Sequence, residues 1–425
     1  MNRYERYKDS GIPWLGEVPE HWEIKPLKFS INNISHKVES QLSNLRYFGL
    51  ENIESFTGRL LLDIELESEG IANEFQENDV LFGKLRPYLA KVHLSRLNGL
   101  VSTEALVFRA SNAVNPKFLF YFCVSSDFID AVNGTTFGSK MPRASWDNIG
   151  NFRMLIPSLK EQTAIAHYLD TKLGEIDALI DKQQTLLEKL AEQRTAVITH
   201  TVTKGLNPAA PMKNSGVEWL GDVPAHWEVK RLKFLGDIVL GLTYSPENIT
   251  NEDNGTLVLR SSNIQNGKLV YEDNVFVNSD IPKRMVTTDK DILICSRNGS
   301  RSLIGKCALI EKDGLNQTFG AFMTVYRTPY RKFVYYSLNS EIFKSQLGLF
   351  LTSTINQLTT QVLGNFNIAF PPLEEQNSIT DYLDQETAKI DRLCDTVNQT
   401  IGRLKEYRTA LITQAVTGKI KVTNE

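Results

Sequence analysis

Apolar runs long enough to cross a bilayer, about 18 residues, are missing from this 425-residue chain. It opens Met-Asn-Arg-Tyr-Glu-Arg, without the apolar core of a secretory leader. Both absences lead to the expectation of a cytoplasmic protein with no membrane contact. Cysteine is scarce too. Cys123, Cys295, Cys307 and Cys394 form no Cys-x-x-Cys pair, so free buried thiols are expected in place of a disulfide framework or a zinc site, and no metal is expected. Nor is there an excess of basic charge. With 47 Lys and Arg against 50 Asp and Glu, the net charge is −3, which argues against bulk binding of polyanions but leaves room for local basic faces.

Catalytic signatures are also absent. The chain has no Gly-x-Ser-x-Gly, no His-Glu-x-x-His, no Rossmann glycine fingerprint, and no Asn/Asp-Pro-Pro-Tyr/Phe element such as amino-methyltransferases carry. Residues 299–307, Gly-Ser-Arg-Ser-Leu-Ile-Gly-Lys-Cys, imitate a phosphate-binding loop. They place five residues between the glycines where four are needed, and Cys307 where a magnesium-binding hydroxyl belongs. His21 and His226 stand beside tryptophan in a repeated segment, where packing is the favoured reading. No catalytic residue is therefore expected.

What the chain does have is an internal duplication. Residues 10–29 return as 215–234 with 14 of 20 positions identical, including Trp-Leu-Gly, Val-Pro and His-Trp-Glu. Farther on, Leu169, Leu173, Ile176, Ile180, Gln183, Leu187, Leu190, Arg194 and Val197 follow the alternating four-and-three spacing of a heptad seam, whose 3.5-residue period keeps one apolar line facing a partner helix. Adding 214 to each number gives Leu383, Thr387, Ile390, Cys394, Val397, Ile401, Leu404, Arg408 and Leu411, the same seam again. Each helix is thus expected to be the other's partner, and the heptads leave open whether they run parallel or antiparallel. Ser158 and Glu161 fit a capping box at the first helix start, and Gly205 a left-handed cap at its end. Gly174 and Gly402 weaken the helices without overturning them.

Between these constant parts lie two divergent middles. The first has β-prone runs at 45–53, 58–64, 79–85, 88–94 and 101–109, then Asn115-Pro116 opening a helix. The second has such runs at 256–260, 291–295, 307–310 and 321–327, then Thr328-Pro329 opening a helix. Each reads as a mixed α/β domain of ordinary size. The domains expected are 1–156, the long helix 157–206, a second α/β domain 207–370, and a second long helix with a tail, 371–425.

Acidic residues are locally missing. Residues 80–103 contain none, while Lys84, Arg86, Lys91 and Arg96 alternate with Tyr88 and His93. A second such stretch, 131–146, carries Lys140 and Arg143 between Phe137 and Trp146. The other repeat is acid-free over 292–310, with Arg297, Asn298, Arg301 and Lys306, and over 314–340, with Arg327, Arg331 and Lys332. Basic side chains among aromatics suit phosphate positioning and base reading, Arg for guanine and Asn for adenine. A solvated basic face is the bland reading of any one stretch; their recurrence in corresponding places favours DNA.

Together these pieces resemble the specificity subunit of type I restriction-modification systems. The resemblance rests on the duplicated Gly-x-x-Trp-Leu-Gly-x-Val-Pro-x-His-Trp-Glu, the exits Phe370-Pro-Pro-Leu-Glu-Glu-Gln376 and Ile156-Pro-Ser-Leu-Lys-Glu-Gln162, and the helix ends Arg194-Thr-Ala and Arg408-Thr-Ala. Within the middles, 79–88 and 291–300 look like the loops such subunits use against DNA. The resemblance implies two homologous target-recognition domains separated by two long helices in an intramolecular antiparallel coiled coil, with a pseudo-two-fold internal repeat. It also implies a non-catalytic subunit that binds an asymmetric bipartite site in double-stranded DNA and directs two methylation and two restriction subunits. S-adenosylmethionine, ATP and magnesium would then sit on those partners and none on this chain. The DNA-facing candidates are Lys84, Arg86, Tyr88, Lys91, Lys140 and Arg143 in the first domain and Arg297, Asn298, Arg301 and Lys306 in the second. A coiled-coil scaffold with two protein- or polymer-binding heads is the alternative.

Overall fold

A computed structural model describes residues 3–13, 15–66, 70–350 and 356–422, so Trp14 of the repeated opening motif lies outside the described residues. Two units emerge from the contacts: Met1–Gln184 with Asn398–Glu425, and Thr185–Val397. The long helices Leu159–Lys204 and Leu373–Val416 each give one portion to each unit. Among the described residues no helix is long and apolar enough to cross a membrane.

The heptads left the helix direction open, and contacts within each unit decide it. In the first unit Arg408 donates to Asp177 at 2.9 Å, while near the start of the first helix Glu161 accepts from Tyr4, whose neighbour Tyr7 reaches the Gly418 carbonyl past the end of the second. In the second unit Arg194 bonds Asp391, and Gly205 abuts Glu375 at the second helix start. Both pairings are antiparallel. Leu169, Leu173, Ile176, Ile180, Leu190, Leu383, Ile390, Val397 and Ile401 of the seam are buried, and Leu187 and Leu404 are half-buried. Both helices run unbroken through Gly174 and Gly402, where an added side chain would meet only open space.

Each unit builds a four-stranded antiparallel sheet of one design. In the first the order is Ile31–Ile34, Ala105–Ala110, Val80–Gly83, Val92–Leu94; in the second it is Asp237–Leu240, Met323–Arg327, Asp291–Cys295, Cys307–Leu309. A second sheet packs against it around Phe48, Leu81, Val101 and Val107 in one unit and Leu259, Leu293, Phe319 and Val325 in the other. That second sheet contains a parallel pair in both units, Tyr47–Phe48 with Gly99–Ser102 and Thr256–Leu259 with Thr318–Phe319. The remaining strands attach to opposite members of the pair: Ile71–Phe75 to Gly99–Ser102, but Phe276–Val277 to Thr256–Leu259. The middles therefore share one sheet and diverge in the other.

A buried ion pair anchors the shared sheet. Asp79, about 1% exposed, accepts from Nε and Nη2 of Arg109 at 2.7 Å and from the Gln76 amide at 2.8 Å. Asp291, fully buried, accepts from Arg327 at 2.7 and 2.8 Å and from the Thr288 amide at 2.8 Å. Helix carboxylates fix each domain from outside. Lys117 and Tyr121 donate to Asp170 at 2.5 and 2.7 Å, and Lys332 and Tyr336 to Asp384 at 2.7 and 2.6 Å. Thr413 caps the Ser126 amide in the first unit, as Thr199 caps Glu341 in the second. The opening segments dock on the helix starts: His21 contacts Glu161 at 3.0 Å, and His226 and Trp227 contact Glu375 at 2.8 and 2.9 Å. Burial and the Glu161 bond push the Tyr4 phenol well up, and the Trp22 indole is left without an acceptor among the described residues.

Several local expectations change, and the runs 45–53 and 88–94 shrink to the strands Tyr47–Phe48 and Val92–Leu94 beside 3-10 turns at Leu50–Asn52 and Pro87–Leu89. Residues 58–64 make only the bridge Ile53–Leu60, because the buried Asn52 amide takes the Leu61 and Ile64 carbonyls that a ladder would use. The helix after Thr328-Pro329 begins at Arg331, although the Thr328 hydroxyl, which donates to the Leu235 carbonyl at 2.7 Å, also accepts from the Tyr330 amide at 3.2 Å. At Ser158 the Glu161 amide is capped at 3.3 Å, but the Glu161 carboxylate serves Tyr4 and His21. Asn115 does cap its helix, accepting from the Lys117 and Phe118 amides with Pro116 in the first turn.

Arg327→Met should cost about 3 kcal/mol in urea unfolding by stranding a buried carboxylate, whereas Lys332→Met, which removes an exposed pair, should cost under about 1 kcal/mol. Equal losses would show that burial of Asp291 is not what makes the pair matter.

Candidate nucleic-acid interface

The sheet that the two domains share ends in loops at equivalent places. In the first domain the loop after Val80–Gly83 lies beside residues 137–144: Leu85 bridges Arg143, the Arg86 amide donates to the Pro142 carbonyl at 2.8 Å, and the Ala144 amide donates to the Lys84 carbonyl at 2.9 Å. Two stretches far apart in the chain thus meet, bringing Lys84, Arg86, Lys140 and Arg143 together. In the second domain Arg297 bridges Gln357, and the Leu358 amide donates to the Ser296 carbonyl at 2.7 Å. The backbone plan is the same. Both loops also lean on a third segment, Lys84 through the Glu104 carbonyl and Ser296 through that of Phe322.

The side chains differ. Lys84 and Lys140 have no partner among the described residues, and Tyr88, Phe137 and Met141 beside them are exposed. Arg86 adopts a left-handed backbone, φ 50°, and reaches the Lys140 carbonyl at 3.5 Å. Arg143 is paired with Glu104 at 3.0 Å, an acid that the reading of basic stretches passed over. In the second domain the Arg297 guanidinium lies 5.2 Å from the centroid of the exposed Phe322 ring, a cation–π contact that holds the cation at the surface. Phe322 lies in the acid-free stretch 314–340, which was the available signal for it. Exposed Arg301 contacts the Gly348 carbonyl at 3.3 Å. Asn298 is engaged at both ends of its amide, donating to the Ser261 hydroxyl and accepting from the Ser300 amide.

Other cations of the acid-free stretches turn inward. Lys91 donates to the Leu50 and Ile53 carbonyls at 2.7 and 3.0 Å, and Lys306 to the Ile264 carbonyl at 3.0 Å. Arg331 donates to the Ile310 carbonyl and Arg327 to buried Asp291, while Lys332 stays exposed but is paired with Asp384. Burial pushes Cys307 up to about 12 and raises Cys123 and Cys295 as well, which makes these three thiols poor nucleophiles.

Comparison with known proteins gives this geometry its context. The profile of the type I restriction modification DNA specificity domain matches residues 69–189 and 224–402. This chain belongs to that family. The MjaVIII type I restriction enzyme specificity subunit of Methanocaldococcus jannaschii is 25% identical over 425 residues, covering 96% of this chain and 95% of that one. The EcoKI specificity subunit of Escherichia coli is 30% identical over 207 residues, 47% of this chain and 44% of its own length. Among solved structures, a chain from a type I R-M system described for complex assembly and conformational transition aligns with a TM-score of 0.73 at 20% identity, covering 95% of this chain and 99% of that chain. The HsdS subunit from Thermoanaerobacter tengcongensis aligns at 0.50, also at 20% identity, over 95% and 98%. These two establish likeness of fold. Family membership makes DNA recognition the role of the two α/β domains, and the duplicated loops are their candidate contact surfaces.

Lys91→Met and Lys306→Met should each destabilise the chain by about 1 to 3 kcal/mol in thermal or urea unfolding, because buried carbonyls lose their donor. Lys140→Met, at an exposed site, should leave stability unchanged. The reverse ranking would reassign these lysines.

Proposed function

We propose that this chain is the non-catalytic, sequence-reading subunit of a type I restriction-modification assembly, acting in the cytoplasm on double-stranded DNA. The observation that carries the reading is the pair of equivalent loop platforms bearing different side chains, Lys84-Leu85-Arg86 in one and Ser296-Arg297-Asn298 in the other. Equal scaffolds with unequal surfaces suit a target of two unlike half-sites separated by unspecified bases. Equivalent faces of a duplex recur about every 10 base pairs, so the half-site centres should lie near one helical turn apart.

Two methylation subunits and two restriction subunits would supply the chemistry, with S-adenosylmethionine, ATP and magnesium held on them. The turn of Lys306 toward the Ile264 carbonyl supports this division, because it takes the lysine of the phosphate-loop imitation away from any nucleotide.

Long-read mapping of methylated adenines, in a host carrying this chain and its methylating partner, should reveal a bipartite motif that disappears when the chain is deleted. Replacing residues 235–362 with a relative's middle should change one half-site and leave the other intact. A single continuous motif would contradict the proposal.

Alanine at Lys84, Arg86, Lys140 and Arg143 together should abolish specific binding through the first domain. Singly, a base reader should cost about 1 to 3 kcal/mol at one position, while a phosphate contact should weaken all sequences alike. Intact specific binding by the fourfold variant would remove these residues from the interface.

A further inference from the structure

Each domain also touches the long helices through one turn, and the two turns correspond. In the first, residues 54–59, Phe56 has φ 65° and Gly58 φ 69°. A left-handed phenylalanine is costly and persists only where its surroundings over-determine it. Here the Phe56 carbonyl accepts from Arg408 at 3.1 Å, and the Phe56 amide donates to the carbonyl of Ala90, which is itself left-handed at φ 46° and follows the surface loop 84–89. Lys91 and His93 hold the same turn from behind through the Ile53 and Gly58 carbonyls.

In the second domain the turn is 265–268, with Asn266 at φ 50° and Gly267 at φ 75°. Lys268 donates to Asp391 at 2.8 Å, and the other oxygen of Asp391 is bonded by Arg194. Lys306 and Tyr335 hold this turn from behind through the Ile264 and Gly267 carbonyls. Burial opposes ionisation of Asp391, but Lys268 and Arg194 outweigh it and hold the carboxyl below its usual range. The helix residues obey the repeat: Asp177 and Arg194 of the first helix correspond to Asp391 and Arg408 of the second at the common offset of 214.

We propose that Arg408 with Asp177, and Arg194 with Asp391, are positioning residues that latch the turns 54–59 and 265–268 and so set the angle at which each domain presents its base-reading loop. The latches touch no loop side chain named above as a DNA candidate. Their effect therefore falls on the geometry of presentation, leaving the identity of the bases read unchanged. The two differ in strength. Arg408 is buried and grips a carbonyl, whereas Lys268 is about two-thirds exposed and its pair with Asp391 is open to screening by salt.

This inference rests on the proposed function, and its test keeps the two apart. With the wild-type motif mapped, the chain and its methylating partner are bound to duplexes carrying the native spacer or a spacer one base pair longer or shorter. Arg408→Ala should lower the preference for the native spacer about tenfold, the scale of a lost charged hydrogen bond. Lys268→Met should lower it about two- to fivefold, the scale of an exposed ion pair. Discrimination against mismatches inside both half-sites should be unchanged in each. Phe56→Ala keeps the carbonyl and should keep the spacing preference; added salt should mimic Lys268→Met but not Arg408→Ala. Unchanged spacing preference in both latch variants, or a loss confined to mismatched bases, would overturn the proposal. If Arg408→Ala does not fold, Lys268→Met at its exposed position decides alone. A wild-type chain with no bipartite motif would instead remove the function on which the inference rests.

Discussion

A carboxylate shut away from water needs a cation and enough donors, and each domain of this chain is assembled around one. Asp79 and Asp291 sit at the start of the strand that leads to the surface loop, and the arginine that neutralises each comes from the neighbouring strand of the same sheet. Each also accepts a backbone amide from the turn just before it. Strand pairing, turn closure and charge neutralisation are therefore satisfied together or not at all. Because the pair lies at the opposite end of its strand from the loop, that loop can change its side chains without disturbing the anchor.

The division between constant and variable parts follows from this. Residues that join each domain to the helices repeat with one chemistry: a lysine and a tyrosine on Asp170 or Asp384, a threonine hydroxyl under a helix amide, a histidine on Glu161 or Glu375. Away from the helices the second sheets build on opposite members of their parallel pair, a change of topology that the shared first sheet absorbs. Divergence is concentrated in the second sheets and in the side chains of the surface loops, and it is suppressed where a side chain must meet a fixed acceptor.

Much of this was legible in the sequence, for identifiable reasons. The seam from Leu169 to Leu190 and its copy could be read because periodicity is a property of one segment. The caps at Asn115 and Gly205 are equally local, the first confirmed by its hydrogen bonds and the second by a φ of 75°. Helix direction was not legible, since it depends on which carboxylate meets Arg194 and Arg408. The acid-free stretches misled in part for the same reason. Arg327 finds Asp291 in the adjacent strand, Lys332 finds Asp384 on the second helix, and Lys91 and Lys306 find carbonyls about 40 residues away. A local lack of acid says little about the acid supplied by the fold. Strands of two residues, such as Tyr47–Phe48 and Phe276–Val277, are too short to carry a pattern at all.

The opening motifs are nearly identical in letters, yet their tryptophans sit in different surroundings. Both rings are fully buried, but the Trp227 indole donates to a carboxylate while that of Trp22, whose expected acceptor is taken by Tyr4, has none among the described residues. Two indoles at equivalent places, one hydrogen-bonded to a carboxylate and one without an acceptor among the described residues, should differ in emission wavelength. Each half of the molecule thereby carries its own optical label at the junction between opening segment and helix, and loosening of either junction could be followed separately once the other tryptophans, five in the whole chain, are replaced.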